Sequence, residues 1–207
     1  LDDDASSRAA LARAGERRSI AVEIQNGCLP GTWRFRRTTP PAGKVAIIIP
    51  TCAAHGYIEN CIATLRARTA YPNYEIVCID NIPDSQTAWK IWLQQNADRV
   101  IQISESFNWS QFNNRAAAAC DSDYLLFLND DIEITQDDWL EVLLEQAQRP
   151  DVGIAGPQLL YPSGKVQHAG MFLGAGIGRH AFRFAPADDP GYFGLALTQR
   201  NVIAVTG

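Results

Sequence analysis

The stretch Val45-Ala46-Ile47-Ile48-Ile49-Pro50-Thr51 decides the fold of this protein. Its first five residues are all apolar, and Pro50 follows them directly, which is typical of a strand that is buried on both faces of a sheet. Such a strand needs helices above and below it, because an open face would expose apolar side chains to water. The surrounding sequence should therefore alternate between strands and helices.

The residues that follow show this alternation. Apolar residues three and four positions apart predict helices over 57–68, 85–96, 110–120 and 137–148. Short apolar runs predict further strands over 74–79, 100–103, 124–128 and 152–155. This order predicts an α/β fold that is Rossmann-like, with a mostly parallel central sheet and helices on both faces.

Residues 1–42 differ in pattern from the rest of the chain. An acidic start followed by an Ala- and Arg-rich stretch predicts a short helix that ends at Gly15. Residues 19–24 and 32–36 read as two strands separated by the turn residues Asn26-Gly27. Because a Pro- and Thr-rich linker follows, we expect residues 1–42 to be an N-terminal extension or the tail of a preceding domain. Residues 43–207 are then one further domain.

The composition limits the classes of function. A formal net charge of −5 argues against broad nucleic-acid binding, which usually requires a basic excess. The five cysteines form no Cys-x-x-Cys pair, so neither a zinc site nor a redox motif is indicated, and a reducing compartment is favoured. The sequence contains no apolar run of about 18 residues, as a membrane span would need. We expect a cytoplasmic protein, or one held peripherally at the inner face of the cell membrane.

Small polar and acidic residues follow three predicted strands at the point where each strand ends. Thr51 ends the first, Asp80 and Asn81 end the second, and Asn129-Asp130-Asp131 follow the fourth. Because ligands bind beyond the carboxyl ends of parallel strands, these side chains should meet at one edge. Crowded carboxylates repel each other unless a cation intervenes. Oxygen ligands favour Mg²⁺ or Mn²⁺, held partly by substrate phosphates.

Five segments resemble family 2 glycosyltransferases of the GT-A fold, over roughly residues 43–207. They are VAIIIPT (45–51), YPNYEIVCIDN (71–81), FNWSQFNNRAAAACDSDYLLFLNDD (107–131), WLEVLLEQAQRPDVGIAGPQLLYPSGKVQHAG (139–170) and GYFGLALTQRNVIAVTG (191–207). The last two look most like bacterial enzymes that build O-antigen or related surface polysaccharides, including rhamnosyltransferase-like members. The resemblance implies inverting transfer of a sugar from a nucleoside-diphosphate sugar to a saccharide or lipid-linked acceptor.

The resemblance also implies roles for residues on the donor side. It places Pro50, Thr51 and Asp80 against the nucleoside of the donor. Asn114, in the helix before the fourth strand, matches a position that faces the nucleotide, and Arg115 beside it is a weaker candidate.

The Asp-x-Asp signature of the family falls on residues 129–131, where Asn129 replaces the first acid. Asp131 is then the expected ligand of Mn²⁺ or Mg²⁺. Asp130 is expected to contact the sugar or the ribose.

His168 is the remaining candidate for a catalytic role. The resemblance places it near the acceptor or the diphosphate, where it would donate a hydrogen bond to phosphate. The alternative is a structural histidine that holds an irregular loop in place. The acidic base of the family lies after the VTG segment, beyond Gly207, so we expect the domain to be incomplete at its C-terminus and inactive alone.

Two other classes of function stay open. A sugar-phosphate nucleotidyltransferase would share the strand–helix order and the metal carboxylates. It should carry basic residues directly after the first strand, and residues 51–56 (TCAAHG) contain no Arg or Lys. A non-catalytic nucleotide-sugar-binding or scaffolding module is the second alternative, and the pair Asp130-Asp131 argues against it.

Overall fold

The structure, a computed structural model, describes residues 4–174 and 176–206. Its helices are α1 (Asp4–Arg17), α2 (Tyr57–Arg68), α3 (Thr87–Asn96), α4 (Trp109–Ala119) and α5 (Trp139–Ala147). Its strands are β1 (Val22–Asn26), β2 (Trp33–Arg37), β3 (Val45–Thr51), β4 (Tyr74–Asp80), β5 (Arg99–Gln102), β6 (Tyr124–Phe127), β7 (Leu159–Leu160), β8 (Val166–His168), β9 (Met171–Gly174) and β10 (Ile177–His180). Short 3₁₀ turns cover Ala54–Gly56 and Tyr192–Gly194.

The chain divides into two compact units. The first, Ala42–Leu144, is called the sheet unit below. The second joins the described residues before 42 to Glu145–Thr206 and is called the hairpin unit. The sequence pattern did not indicate that residues after 144 would group with the N-terminal segment. The extents of the two predicted domains stay predictions.

The sheet unit is built on a parallel sheet. Among the described residues this sheet has four strands in the order β5-β4-β3-β6, and each neighbouring pair is parallel. The predicted fold class is confirmed, and the strand VAIIIPT is buried from end to end. Strand β3 continues beyond the predicted apolar run, through Pro50 to Thr51. Pro50 is tolerated there although it has no N–H to donate, because β6 pairs with β3 only as far as Ile48.

Helices cover both faces of this sheet, as the apolar strand predicts. Alternate side chains of a strand point to opposite faces. Ile47 and Ile49 therefore pack in one buried cluster with residues of α2, α3 and α5, including Leu65, Leu93 and Leu140. Ala46 and Ile48 pack in a second cluster with Phe112 and Ala116 of α4. The two cores hold the strand ends rigidly at one edge of the sheet.

The predicted helices differ from the structure mainly at their first residues. α4 begins at Trp109 because the side chain of Asn108 caps it, accepting a hydrogen bond from the backbone N–H of Gln111 at 3.0 Å. α3 begins at Thr87, two residues later than predicted, because the N–H of Gln86 is used in a turn and donates to the carbonyl of Pro83 at 2.9 Å.

The hairpin unit contains three antiparallel strand pairs within the described residues: β1–β2, β7–β8 and β9–β10. The two strands predicted in residues 1–42 are confirmed as the first pair, in which Ile24 lies opposite Phe35. The predicted helix end at Gly15 is wrong, because α1 continues to Arg17. Gly15 is needed for close packing, since a Cβ atom there would lie 2.6 Å from Cγ2 of Val22.

The strand predicted over residues 152–155 is wrong. These residues form no ladder in the described part of the chain, and Ile154 is 78% exposed. Gly153 interrupts the short apolar run and weakens its preference for extended structure. Among the described residues, no helix combines the length and apolarity that crossing a bilayer requires.

Candidate active site

The carboxyl ends of β3, β4 and β6 bring three polar segments to one rim of the sheet. Thr51 is the register partner of Asp80 at the ends of β3 and β4, and the N–H of Asn81 donates to the carbonyl of Thr51 at 2.9 Å. On the other side of β3, the hydroxyl of Thr51 donates to Oδ2 of Asp130 at 2.6 Å. The structure therefore brings Thr51, Asp80 and Asp130 together.

Thr51 occupies the centre of this rim. Its side chain is buried, and its hydroxyl oxygen also accepts a hydrogen bond from the N–H of Ala53 at 2.9 Å. The hydroxyl proton is thereby directed at Asp130. Pro50 is buried within the ladder, where it supports Thr51 and has little surface to offer a ligand.

Asp130 and Asp131 lie in different surroundings although they are adjacent. Asp130 is partly buried, whereas Asp131 is exposed. Burial raises the pKa of Asp130 above its usual value and the charge of Asp131 raises it further, while the hydrogen bond from Thr51 opposes this rise. The pair thus places two neighbouring carboxyl groups at the rim.

This donor set fits a hard divalent cation that is shared with a ligand. No group of three or more His, Cys, Asp or Glu residues that could hold a metal occurs in the described residues. Mg²⁺ or Mn²⁺ is commonly held by one or two carboxylates when substrate phosphates complete its coordination. Two neighbouring carboxylates are therefore enough for such a site. Asp131 is the accessible carboxylate of the two, and Asp130 is the carboxylate held in place by Thr51.

Asp80 forms a buried ion pair that the sequence analysis did not identify. Its Oδ2 lies 3.2 Å from Nζ of Lys90 on α3, and its Oδ1 accepts from the N–H of Ile82 at 2.9 Å. The Asp80 side chain is only 5% exposed and that of Lys90 19%. Lys90 also reaches the exposed carboxylate of Asp84 at 3.4 Å. Lysine is common in helices, so the position of Lys90 in the sequence did not indicate this contact.

The helix before β6 presents its two asparagines differently. Asn114 and Arg115 are exposed on α4, and Arg115 forms two hydrogen bonds with Glu105, at 2.8 and 3.0 Å. Asn113 is buried, and its amide donates to the carbonyl of Trp109 at 2.8 Å. The indole N–H of Trp109 in turn points to Oδ1 of Asn129 at 3.4 Å. The Asn that replaces the first acid of the Asp-x-Asp signature is thus connected to α4.

An open groove of about 650 Å³ lies beside the end of β3. It is formed by the loop between β3 and α2 together with the start of α3. Its lining residues are Ala53, Ala54, His55, Gly56, Glu59, Gln86 and Trp89. Gly56 has a φ of 71°, and a Cβ atom there would lie 3.3 Å from the ring of Trp89, so glycine keeps the groove wall close to the indole.

His168 belongs to the hairpin unit and is fully buried at the end of β8. Its Nε2 accepts from the N–H of Gly170 at 3.2 Å and from the N–H of Thr206 at 3.4 Å. Its Nδ1 lies 2.9 Å from Nδ1 of His180. Since Nε2 acts only as an acceptor, the neutral ring carries its proton on Nδ1 and donates it to His180. Both ring nitrogens of His168 are therefore used inside the unit.

This geometry predicts that the protein loses stability in mild acid. Burial, and secondarily the charge of His180, lowers the pKa of His168 below its usual value. A histidine with a lowered folded-state pKa contributes stability above its unfolded pKa of about 6.5, and that stability is lost as the pH falls below it. We expect the melting temperature to fall between about pH 8 and pH 5, measured by circular dichroism.

The variant His168→Gln should be less stable than wild type at the higher pH and should show a smaller loss on acidification. His55→Gln is the matched control, because His55 is exposed and should leave the wild-type pH profile unchanged. An identical pH profile in His168→Gln and wild type would contradict the assignment of the acid sensitivity to His168.

A parallel sheet covered by helices on both faces, with Thr and carboxylates at its carboxyl rim, defines an α/β protein of the GT-A class. Residues 46–191 match the family described as glycosyl transferase family 2. The chain belongs to this family, and the predicted membership is confirmed.

Comparisons with individual proteins agree with this membership. The chain is 34% identical over 202 residues to the O-antigen biosynthesis protein RfbC of Myxococcus xanthus, covering 95% of this chain and 15% of that protein. It is 31% identical over 191 residues to the protein y4gI of Sinorhizobium fredii, covering 90% of this chain and 21% of that protein. The chain thus spans about a fifth or less of the length of these relatives.

Solved structures with a similar chain path include a mannosyltransferase and S. aureus TarS. One is the mannosyltransferase PcManGT from Pyrobaculum calidifontis in complex with GDP-Man and Mn²⁺, with a TM-score of 0.47, 17% identity, and coverage of 72% of this chain and 42% of that one. Another is S. aureus TarS 1–349, with a TM-score of 0.42, 20% identity, and coverage of 50% of this chain and 32% of that one.

Proposed function

We propose that the sheet unit binds a nucleoside-diphosphate sugar together with Mn²⁺ or Mg²⁺, and serves an inverting sugar transfer to a saccharide or lipid-linked acceptor. The observation that carries this proposal is the convergence of Thr51, Asp80 and Asp130 at one rim of a parallel sheet. In such folds ligands bind at this rim. The 34% identity to an O-antigen biosynthesis protein supports a role in bacterial surface polysaccharide synthesis.

In this proposal the residues at the rim contact different parts of the sugar donor. Asp80 accepts hydrogen bonds from the nucleoside once Lys90 moves aside, since its side chain is only 5% exposed beside Lys90. Thr51 and Pro50 shape the adjoining backbone. Asp131 holds the cation, and Asp130, fixed by Thr51, contacts the sugar or the ribose. Asn114, exposed on α4, is the proposed contact to the nucleotide from that side.

The chemistry needs charge compensation at the leaving group. When the acceptor hydroxyl attacks the anomeric carbon, the bond to the diphosphate breaks and negative charge develops on its oxygens. A bound divalent cation would supply the positive charge that stabilises this leaving group. The carboxylates of this chain position that charge, and the buried core beneath the rim keeps them fixed.

His168 is proposed to act as a structural residue in this scheme. Its two ring nitrogens are both engaged inside the hairpin unit, by Gly170, Thr206 and His180. It could donate to a phosphate only after losing these partners. We therefore propose that His168 orders the segment around β8 and does not itself react.

Calorimetric titration with UDP, dTDP and GDP tests the proposal. We expect at least one of them to bind in the presence of Mn²⁺ and to bind much more weakly after addition of a chelator, since the cation bridges the diphosphate and the carboxylates. The ligand should also raise the melting temperature, because it binds only the folded state. Absence of binding by all three in Mn²⁺ would contradict the proposal and favour a scaffolding module.

The hydrogen bond from Thr51 to Asp130 provides a finer test. The variant Thr51→Val removes the hydroxyl and keeps the shape of the side chain, so Asp130 loses the donor that fixes it. A hydrogen bond to a charged group contributes about 1.5–3 kcal/mol, so we expect nucleotide affinity in Mn²⁺ to weaken by about tenfold or more. Thr51→Ser keeps the hydroxyl and should bind within about twofold of wild type. Equal affinities for Val and Ser would show that the hydroxyl has no role.

A further inference from the structure

The β9–β10 hairpin of the hairpin unit exposes apolar side chains to an unusual extent. Phe172 is 47% exposed, Leu173 66% and Ile177 62%. Near the base of the hairpin, the N–H of Met171 donates to the carbonyl of Ala204 at 3.0 Å, and the neighbouring Ile203 is 66% exposed. Clustered exposed apolar residues on a folded protein generally mark an interaction surface.

The register of the hairpin places an arginine among these side chains. Phe172 lies opposite Arg179, and Gly174 lies opposite Ile177. Because side chains alternate between faces along a strand, Phe172, Ile177 and Arg179 share one face, which we call the hairpin face. A Cβ atom on Gly174 would lie 3.4 Å from the ring of Phe172 and 3.9 Å from Cδ of Arg179, so both side chains flank this glycine.

Charge is segregated in the sequence around the hairpin face. Residues 152–187 contain no Asp or Glu, whereas the whole chain has a net charge of −5. The cations in this segment are Lys165, Arg179 and Arg183. Arg179 and Arg183 are exposed, and the guanidinium of Arg183 lies 4.8 Å from the centre of the Phe184 ring, which is itself 58% exposed. Basic residues and apolar side chains are thus presented together.

We propose that the hairpin face docks on the surface of an anionic lipid bilayer. Apolar side chains such as Phe172 and Ile177 would enter the boundary between headgroups and acyl chains, as they do in interfacial anchors. Arg179 can keep its aliphatic stem against the apolar side chains while its charge stays among lipid phosphates.

This inference is independent of the proposed function, because membrane docking needs neither a nucleotide nor a cation. A lipid-linked acceptor would be presented at the same surface. If the protein fails to bind vesicles, the proposal of nucleotide binding is unaffected. If it fails to bind nucleotide, the proposal of membrane docking is unaffected.

Vesicle flotation tests the inference. We expect the protein to bind vesicles of phosphatidylcholine containing about 30% phosphatidylglycerol and to bind much less to phosphatidylcholine alone. Raising NaCl from about 0.1 M to about 0.5 M should weaken binding, because salt screens the exposed arginines.

Two variants with matched controls locate the contact. Arg179→Gln should weaken binding by about fivefold, since each basic residue near an anionic surface contributes about 1 kcal/mol. Ile177→Ser should weaken it by about tenfold through lost burial of apolar surface. Ile91→Ser, on a helix of the sheet unit where Ile91 is 53% exposed, and Arg13→Gln on α1 are the controls and should bind like wild type.

Three results would overturn the inference. They are equal binding to both kinds of vesicle, an equal loss of binding in Ile91→Ser and Ile177→Ser, and a dimer in solution that Ile177→Ser converts to a monomer. The last result, measured by light scattering, would assign the hairpin face to contact with a second copy of the chain. Circular dichroism of Ile177→Ser should match wild type, since this side chain is largely exposed.

Discussion

The variant Asp131→Asn is expected to lose Mn²⁺-dependent binding of nucleoside diphosphate almost completely, with an affinity about 100-fold or more below that of wild type. Asp131 is exposed next to the partly buried Asp130, which is why we propose it as the ligand of the cation. Asn keeps the size of the side chain but presents a neutral oxygen, which cannot offset the charge of the cation. The proposed site has two carboxylates, so removing one of them halves the negative charge that the chain offers to the cation.

Calorimetry in Mn²⁺ and in chelator measures this effect, and Asp121→Asn is its control. Asp121 is an exposed carboxylate of the sheet unit in the loop before β6, so its variant should bind like wild type. Because Asp131 is exposed, Asp131→Asn should unfold at the same urea concentration as wild type without ligand. Unchanged Mn²⁺-dependent affinity in this variant would contradict the assignment of Asp131 as the metal ligand.

The fold was predictable from the sequence because its central feature is local. The continuous apolar run of β3 requires cover on both faces, and the helices that give this cover show the matching spacing, as at Ile58 and Leu65 of α2. Predictions were wrong where the position of a residue depends on a contact outside its own helix or strand. Gly15 is placed by the approach of Val22 and so lies inside a helix, although glycine usually marks a helix end.

The rim of the candidate site was predictable for a similar reason. A parallel sheet sends the ends of its strands to one edge, so the positions of Thr51, Asp80 and Asp130 follow from the strand assignments alone. The partners of these residues were not predictable, because pairing across elements depends on how helices pack on the sheet. The contact of Lys90 with Asp80 and that of Trp109 with Asn129 are of this kind.

Buried charge in the hairpin unit gives a second example. Glu145 is 3% exposed and accepts from Nε of Arg36 at 2.7 Å and from the backbone N–H of Arg37 at 2.9 Å. In the sequence, Glu145 lies in the helix predicted over 137–148 and Arg36 in the strand predicted over 32–36. Their separation of more than one hundred residues left no local pattern to connect them.

The variant Lys90→Met is expected to lower the free energy of unfolding by about 2–3 kcal/mol, the second large effect that the structure predicts. Asp80 is nearly inaccessible to water, and Lys90 provides its neighbouring cation at 3.2 Å. Methionine fills the space of the aliphatic stem but removes the charge. The carboxylate is then left buried without its cation and keeps the hydrogen bond from the N–H of Ile82 at 2.9 Å. Removing one member of a buried pair generally costs more than removing both.

Urea unfolding of single and double variants measures this coupling. The double variant Asp80→Asn/Lys90→Met should recover much of the stability lost in Lys90→Met, because no uncompensated carboxylate remains. Asp84→Asn is the control: Asp84 also contacts Lys90, but its side chain is 90% exposed, so stability should change by less than about 0.5 kcal/mol. Additive losses in the double variant would show that the ion pair does not stabilise the rim.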